Sequence, residues 1–204
     1  MNAQDCLDLL RTIKDVSFAT VDKDGRPKNR VIDVMLVEHE KLYFCTARGK
    51  DFYRELMENG NVAIAGLDKD TWQTVRLSGK AERLSEQKEW IDRIFRENPS
   101  MNGVYPGESR YILEAFCVSV GIVEWFDLSQ TPIRRAYFSF GGKTVKEPGF
   151  RISDRCIGCG TCAANCPQKC IQEGTPYTIA QSNCLHCGLC AENCPVAAIE
   201  RLGD

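Results

Sequence analysis

What this sequence has little of narrows the field before any motif is read. Its 204 residues include only two histidines, His39 and His186, so imidazole chemistry has scant material. There is no Ser-His-Asp order and no G-x-G-x-x-G after a strand, which leaves hydrolase and Rossmann readings without a foothold. Long apolar runs are missing too: nothing approaches the roughly 18 to 20 residues that cross a bilayer. The opening MNAQDCLDLLRTIKD lacks a basic start, an apolar stretch and a small-residue cleavage site, so we expect no secretory signal and a cytoplasmic location. Neither sign of charge dominates. Residues 1–150 hold 22 Lys and Arg against 23 Asp and Glu, and residues 151–204 hold 4 against 5. Without a basic face, neither nucleic acid nor a membrane surface is an expected partner.

Cysteine is what the chain has in excess: 12 in all, nine of them between Cys156 and Cys194. CIGCGTCAANCP (residues 156–167) and CLHCGLCAENCP (residues 184–195) share one grammar, C-x-x-C-x-x-C-x-x-x-C-P. In a reducing compartment such runs are metal ligands rather than disulfide frameworks. Three cysteines at this pitch wrap one compact inorganic cube, while the fourth, before proline, serves a second cube. By that rule one [4Fe-4S] cluster takes Cys156, Cys159, Cys162 and Cys194, and the other takes Cys184, Cys187, Cys190 and Cys166. Gly158, Gly160 and Gly188 suit loops whose backbone comes close to sulfur. A structural zinc also uses C-x-x-C pairs. It calls for two separated pairs, however, and has no use for three evenly spaced cysteines plus a C-P fourth, given twice.

Residues 150–202 closely resemble the two-cluster bacterial ferredoxin family, down to the endings CPQKCI and CPVAAI. The resemblance implies a small βαββαβ fold around two low-potential clusters. Cys170 breaks the internal symmetry, since Ala198 holds the equivalent place; it reads as a small buried filler against a cluster. His186, inside CLHCGLC, either tunes its neighbouring cluster or sits in an exposed loop.

The first 150 residues have another character. A short helix over residues 4–13 precedes VSFATVD, which alternates apolar and polar positions, and DKDGRPK supplies turn chemistry before the strand KNRVIDVMLVE. KLYFCT is a third strand, KDFYRELMEN a helix stopped by Gly60, and NVAIAGLD and WQTVRLSGKAERL are further strands, the last with Gly79 where a barrel strand bends. SEQKEWIDRIFRENP predicts a helix capped by Ser85, with Lys88, Trp90, Ile91, Ile94 and Phe95 on its packed side. RYILEAFCVSVGIVEWFDL returns to strand. The expected architecture is a mainly β N-terminal split barrel with peripheral helices, plus a small α+β ferredoxin-like C-terminal domain.

The run from VSFATVD through DGRPKNRVIDV, KLYFCTARGKDFYREL, NGNVAIA and VRLSGKAERLS resembles the pyridoxamine 5'-phosphate oxidase-like flavin-binding split barrel, over about residues 1–128. The resemblance implies FMN bound at a homodimer interface. Carried over residue by residue, it lays Arg30, Val31 and Ile32 along the flavin ring. It also sets Thr46 and Lys50 of TARGK at the phosphate, beside the free amides of a helix start, with Arg48 as a second phosphate partner. Trp72 and Arg76 reach the ring from the next strand. Each has a plainer alternative as a solvated strand or turn residue. Where the family's C-terminal segment helps hold a pyridoxal phosphate substrate, this chain carries TPIRRAYFSFGGKTVKEPGF, which disfavours vitamin B6 oxidation.

We therefore expect a flavin-binding domain over 1–128, a linker or arm over 129–150 and a ferredoxin domain over 151–204. Iron–sulfur clusters handle one electron at a time and FMN can accept two. The sum points to an FMN-dependent reductase of a small acceptor in an anaerobe. An electron-transfer module between protein partners, and a barrel holding another ligand such as haem or a deazaflavin, are the competing readings. Arg134 and Arg135 read either as a solvated pair or as partners of acidic groups, clusters or flavin phosphate. A pocket lined by Tyr105, Tyr111 or Trp125 would favour the reductase.

Overall fold

The computed structural model describes residues 1–203. The chain opens with α1 (Ala3–Ile13), started by a capping box in which Asn2 and Asp5 each accept the other's backbone N–H. Alternation then builds strands: in β1 (Asp15–Val21) Val16, Phe18 and Thr20 point inward. A turn at Gly25 leads to β2 (Pro27–Asp33), followed by β3 (Leu36–Glu38) and β4 (Lys41–Ala47). Next come α2 (Asp51–Glu58), β5 (Asn61–Asp68), β6 (Gln73–Arg83), α3 (Gln87–Glu97), α4 (Met101–Val104), β7 (Leu113–Asp127) and β8 (Arg134–Phe140).

The strand order is β2-β1-β5-β6-β7-β4-β3, with β8 added on β7. Its two ends, β2 and β3, are separated in sequence only by Val34 and Met35. The sheet must therefore curl until its edges almost meet. Pairing changes hands within one residue: the Val34 N–H donates to the Lys14 carbonyl at 2.9 Å and the Met35 N–H to the Tyr43 carbonyl at 2.8 Å. Inside the curl, Phe44 has the rings of Phe18, Phe116 and Phe52 at 4.7, 5.6 and 5.7 Å. At Gly79 a Cβ would come within 2.7 Å of the Val120 carbonyl oxygen, so the glycine admits a close strand approach.

Three local expectations need correcting. The residue capping α3 is Glu86 rather than Ser85, and no side chain makes the cap hydrogen bond. Gln87 instead bridges strands, donating to the Leu84 and Ala115 carbonyls and accepting from the Ala115 N–H. Lys88 is exposed, leaving Ile91, Ile94 and Phe95 as the buried face with Trp90 at its margin. Arg110, Tyr111 and Ile112 form part of a 3-10 turn (Gly107–Ile112) instead of the start of β7.

The chain divides into two compact units. The first comprises Met1–Asp68, Thr74–Glu124 and Phe138–Thr144, and the second Lys69–Gln73, Trp125–Tyr137 and Val145–Asp204. In the second, β9 (Gly149–Ile152), α5 (Thr161–Asn165), β10 (Ile171–Gln172), β11 (Thr178–Ile179), α6 (Leu189–Glu192) and β12 (Ile199–Leu202) follow one another. β9 pairs with β12 and β10 with β11, both antiparallel, giving a βαββαβ order. The mainly β barrel with a small α+β ferredoxin region is thus borne out. Among the described residues no helix is long and apolar enough to cross a membrane.

Because Phe44 is fully buried among three rings, Phe44→Ala should lower unfolding stability by about 3–5 kcal/mol. Urea unfolding followed by tryptophan fluorescence measures it; a loss under about 1 kcal/mol would show that this ring cluster does not hold the barrel.

Candidate functional site

Each cysteine run turns through residues in the left-handed region. Gly158 and Gly160 have φ of +71° and +74°, and Gly188 has +83°. His186, in the position equivalent to Gly158, is held at +56°. These turns fold the chain around two separate cavities. One is lined by Cys156, Cys159, Cys162 and Cys194, with walls from Ile152, Ile157, Val196 and Ile199. The other is lined by Cys166, Cys184, Cys187 and Cys190, with Cys170, Phe150, Ile171 and Ile179. Sulfur and hydrocarbon surround both, and backbone amides turn to the sulfurs: the His186 N–H donates to the Cys184 Sγ at 3.4 Å and the Ala198 N–H to the Cys194 Sγ at 3.3 Å. Soft thiolates with N–H donors in an apolar shell fit an iron–sulfur cluster. Cys170 is 6 % exposed, its Sγ 3.5 Å from that of Cys166. The remaining cysteines, Cys6, Cys45 and Cys117, are buried, and burial pushes their thiols up to about 12, 12 and 11, so they are inert packing groups.

In the barrel, Arg30 leaves the edge strand β2 and turns toward α2. Its Nη2 lies 2.7 Å from the carboxylate of Glu55, its Nη1 donates to the Thr20 hydroxyl, and its guanidinium sits 4.5 Å from the Phe52 ring centre. Glu55 and Thr20 are both buried, so this cation is anchored rather than free to sweep. Strand alternation sends Val31 to the opposite face, where it is 69 % exposed, and returns Ile32, half-buried, to the face of Arg30. Arg30 also borders a charged cleft of about 570 Å³, together with Lys28, Asp51, Arg54, Glu55 and Glu58.

Thr46 lies near the end of β4. It is 2 % exposed, and its hydroxyl is buried with no hydrogen-bond partner, a costly condition. Lys50 caps the start of α2 through its backbone, without a side-chain cap, and is exposed. Arg48 differs: its Nη1 donates to the Tyr111 carbonyl at 2.7 Å and stands 3.7 Å from Glu114. Thr46, Arg48 and Lys50 therefore share one strand-to-helix connection, with Arg48 already engaged. Arg76 is exposed and ion-pairs with Glu124 at 3.2 Å in the first unit, whereas Trp72, 57 % exposed at φ +56°, belongs to the second. Tyr105 and Tyr111 pack on the α3 core and Trp125 is buried, its indole N–H on the Gln73 side chain at 2.8 Å. None of the three lines the charged cleft beside Arg30.

Glu114 is a buried carboxylate beside Thr46 in the β4–β7 register that the sequence did not reveal. It accepts from Arg83 at 2.5 and 3.0 Å and from the Tyr53 hydroxyl at 2.8 Å. The Arg83 hydrogen bonds hold it below the usual carboxylate range in spite of burial, and the same contact with Glu114 raises Tyr53. Its partners lie 31 and 61 residues away, beyond any local pattern.

Residues 3–103 match the family model described as pyridoxamine 5'-phosphate oxidase, and residues 155–198 match the 4Fe-4S dicluster domain. This chain joins an oxidase-type split barrel to a dicluster ferredoxin domain. Among curated relatives, pyridoxine/pyridoxamine 5'-phosphate oxidases of Burkholderia mallei and Burkholderia pseudomallei are 29% identical over 102 residues, 49% of this chain and 47% of theirs. The matched segment spans about half the length of those relatives. Of the solved structures, a NimC/NimA family protein from Clostridium acetobutylicum superposes with a TM-score of 0.57 at 18% identity, covering 68% of this chain and 92% of that one. A heme binding protein from Mycobacterium smegmatis gives 0.53 at 16%, covering 68% and 58%. Both show the split-barrel fold. Flavin-type barrel and iron–sulfur domain on one chain support a redox or electron-transfer role.

A carboxylate whose folded pKa is depressed adds stability above its unfolded value of about 4.3 and loses it as pH falls through the lower folded value. Denaturant midpoints should therefore drop as pH falls below about 5, and Glu114→Gln should flatten that drop. An unchanged slope in the variant would mean that Glu114 does not carry the acid sensitivity.

Proposed function

We propose that this protein passes electrons between two [4Fe-4S] clusters and an FMN, and that it acts as an FMN-dependent reductase of a small organic acceptor in an anaerobe. The observation that carries this reading is the presence on one chain of two cysteine-lined cavities and an oxidase-type barrel. Bound, the clusters supply single-electron transfer and the flavin supplies exchange with two-electron acceptors. Cys156, Cys159, Cys162 and Cys194 would hold one cluster and Cys166, Cys184, Cys187 and Cys190 the other. Arg30, fixed by Glu55, keeps a positive charge where the ring is expected, beside Val31 and Ile32. Lys50, the α2 amides and the Thr46 hydroxyl suit a phosphate dianion, with Arg48 held at its border by Glu114. Trp72 and Arg76 remain assigned to the ring on family resemblance. A homodimer through the barrel is carried by the family resemblance. On this reading residues 1–128 bind flavin, 129–150 connect and 151–204 carry the clusters.

The second reading, an electron-transfer module between protein partners, gains from the packed state of Tyr105, Tyr111 and Trp125 and from the exposure of Cys159 and Cys187. Anaerobic purification followed by absorption and EPR during stepwise reduction separates the two. Reoxidation of the flavin by small acceptors supports the reductase; reoxidation only by a second redox protein supports the module; absence of iron and of flavin ends both.

Thr46→Val removes a buried, unpaired hydroxyl at nearly constant shape. It should stabilise the flavin-free protein by about 1 kcal/mol while weakening FMN binding roughly tenfold. Paired thermal melts and fluorescence titrations measure both; tighter or unchanged FMN binding would remove Thr46 from the phosphate site.

A further inference from the structure

The two cysteine repeats are alike in sequence but not in surroundings. The segment that precedes them, Trp125–Tyr137, belongs to the same unit. Three of its hydrogen bonds reach the ligand loops of one cavity. The Ile133 N–H donates to the Gln168 side chain at 2.9 Å, the Asn183 amide donates to the Ile133 carbonyl at 2.8 Å, and Arg135 Nη1 donates to the Cys184 carbonyl at 2.8 Å. Gln168 follows Cys166 by two residues and Asn183 immediately precedes Cys184, so both chain stretches that bring cysteines to the second cavity are held. Tyr137 stacks on His186 in the same loop, rings 6.4 Å apart and 5° from parallel.

The corresponding residues of the other half cannot make this grip. Val196 stands where Gln168 does and offers no acceptor; Arg155 stands where Asn183 does and turns to Glu200, 3.3 Å away. The loops differ in cover accordingly. Ile157 is 63 % exposed and Gly158 exposed, whereas their counterparts Leu185 and His186 are half-buried.

We propose that residues 133–137 form a clasp on the second cluster site, with Arg135, Gln168 and Asn183 as positioning residues that make this cluster the retained one and leave the first as the solvent-facing, labile one. The inference rests on the reading that the cavities hold clusters. Hydrogen bonds to ligand-bearing backbone fix the sulfurs in place before and after iron binds, and losing such outer contacts costs about 10–100-fold in metal affinity.

The test uses the full chain with one cluster at a time, reconstituted anaerobically: Cys159→Ala keeps the second site and Cys187→Ala the first. Iron analysis and EPR count the clusters, and release to a ferrous chelator is timed. Release from the second site should be at least about tenfold slower, and Arg135→Leu or, independently, Asn183→Leu should remove that advantage. Arg155→Leu should alter neither rate. Equal release from both sites, or equal acceleration of both by Arg135→Leu and by Asn183→Leu, would overturn the clasp. Iron absent from both single-site proteins would instead sink the cluster reading, and the clasp with it.

Discussion

The first unit depends on one backbone constraint: the sheet's two edges are joined by Val34 and Met35 alone. A strand that pairs with β1 through Asp33 and with β4 from Leu36 leaves no room for an open, flat sheet. The curl that results gathers Phe18, Phe44, Phe52 and Phe116 in one interior. It also sets the connection from β4 to α2, with Thr46 buried and Lys50 exposed, at the rim. Around that rim the charges are paired before any ligand arrives. Arg30 belongs to Glu55 and Arg83 to Glu114, so the barrel presents oriented cations whose partners are buried carboxylates. Such pairs contribute little to stability by themselves; what they supply is fixed geometry.

In the second unit the corresponding constraint is the left-handed turn. Sulfurs that must face inward from consecutive short turns need residues at positive φ between them, and glycine meets that demand at Gly158, Gly160 and Gly188. His186 meets it without being glycine, at +56°. Its side chain there carries the stacking contact with Tyr137, which a glycine could not make. The repeat thus keeps its backbone and varies its cover.

Features that follow from neighbours in sequence were legible. The cysteine spacing, the glycine turns, the alternation of VSFATVD and NVAIAGLD and the helix over residues 87–97 all state their structure locally, so fold class and both modules could be read. Boundaries slipped where a local signal met a tertiary competitor. Ser85 looked like a cap, but Gln87 is drawn into hydrogen bonds with Leu84 and Ala115, and Glu86 became the flanking residue. Arg110 and Tyr111 looked like strand, but an ion pair and a hydrogen bond to Asp92 accompany a tighter turn. Arg30 with Glu55, Glu114 with Tyr53, and Arg135 with Cys184 could not be seen at all. Their partners are 25, 61 and 49 residues apart, and no periodicity reports a meeting at that range.

The second unit is composed of three stretches of chain, and two of them, Lys69–Gln73 and Trp125–Tyr137, come before residue 145. Excising residues 145–204 would therefore not yield that unit whole: it would leave behind the residues that bond to the loops of Cys166 and Cys184.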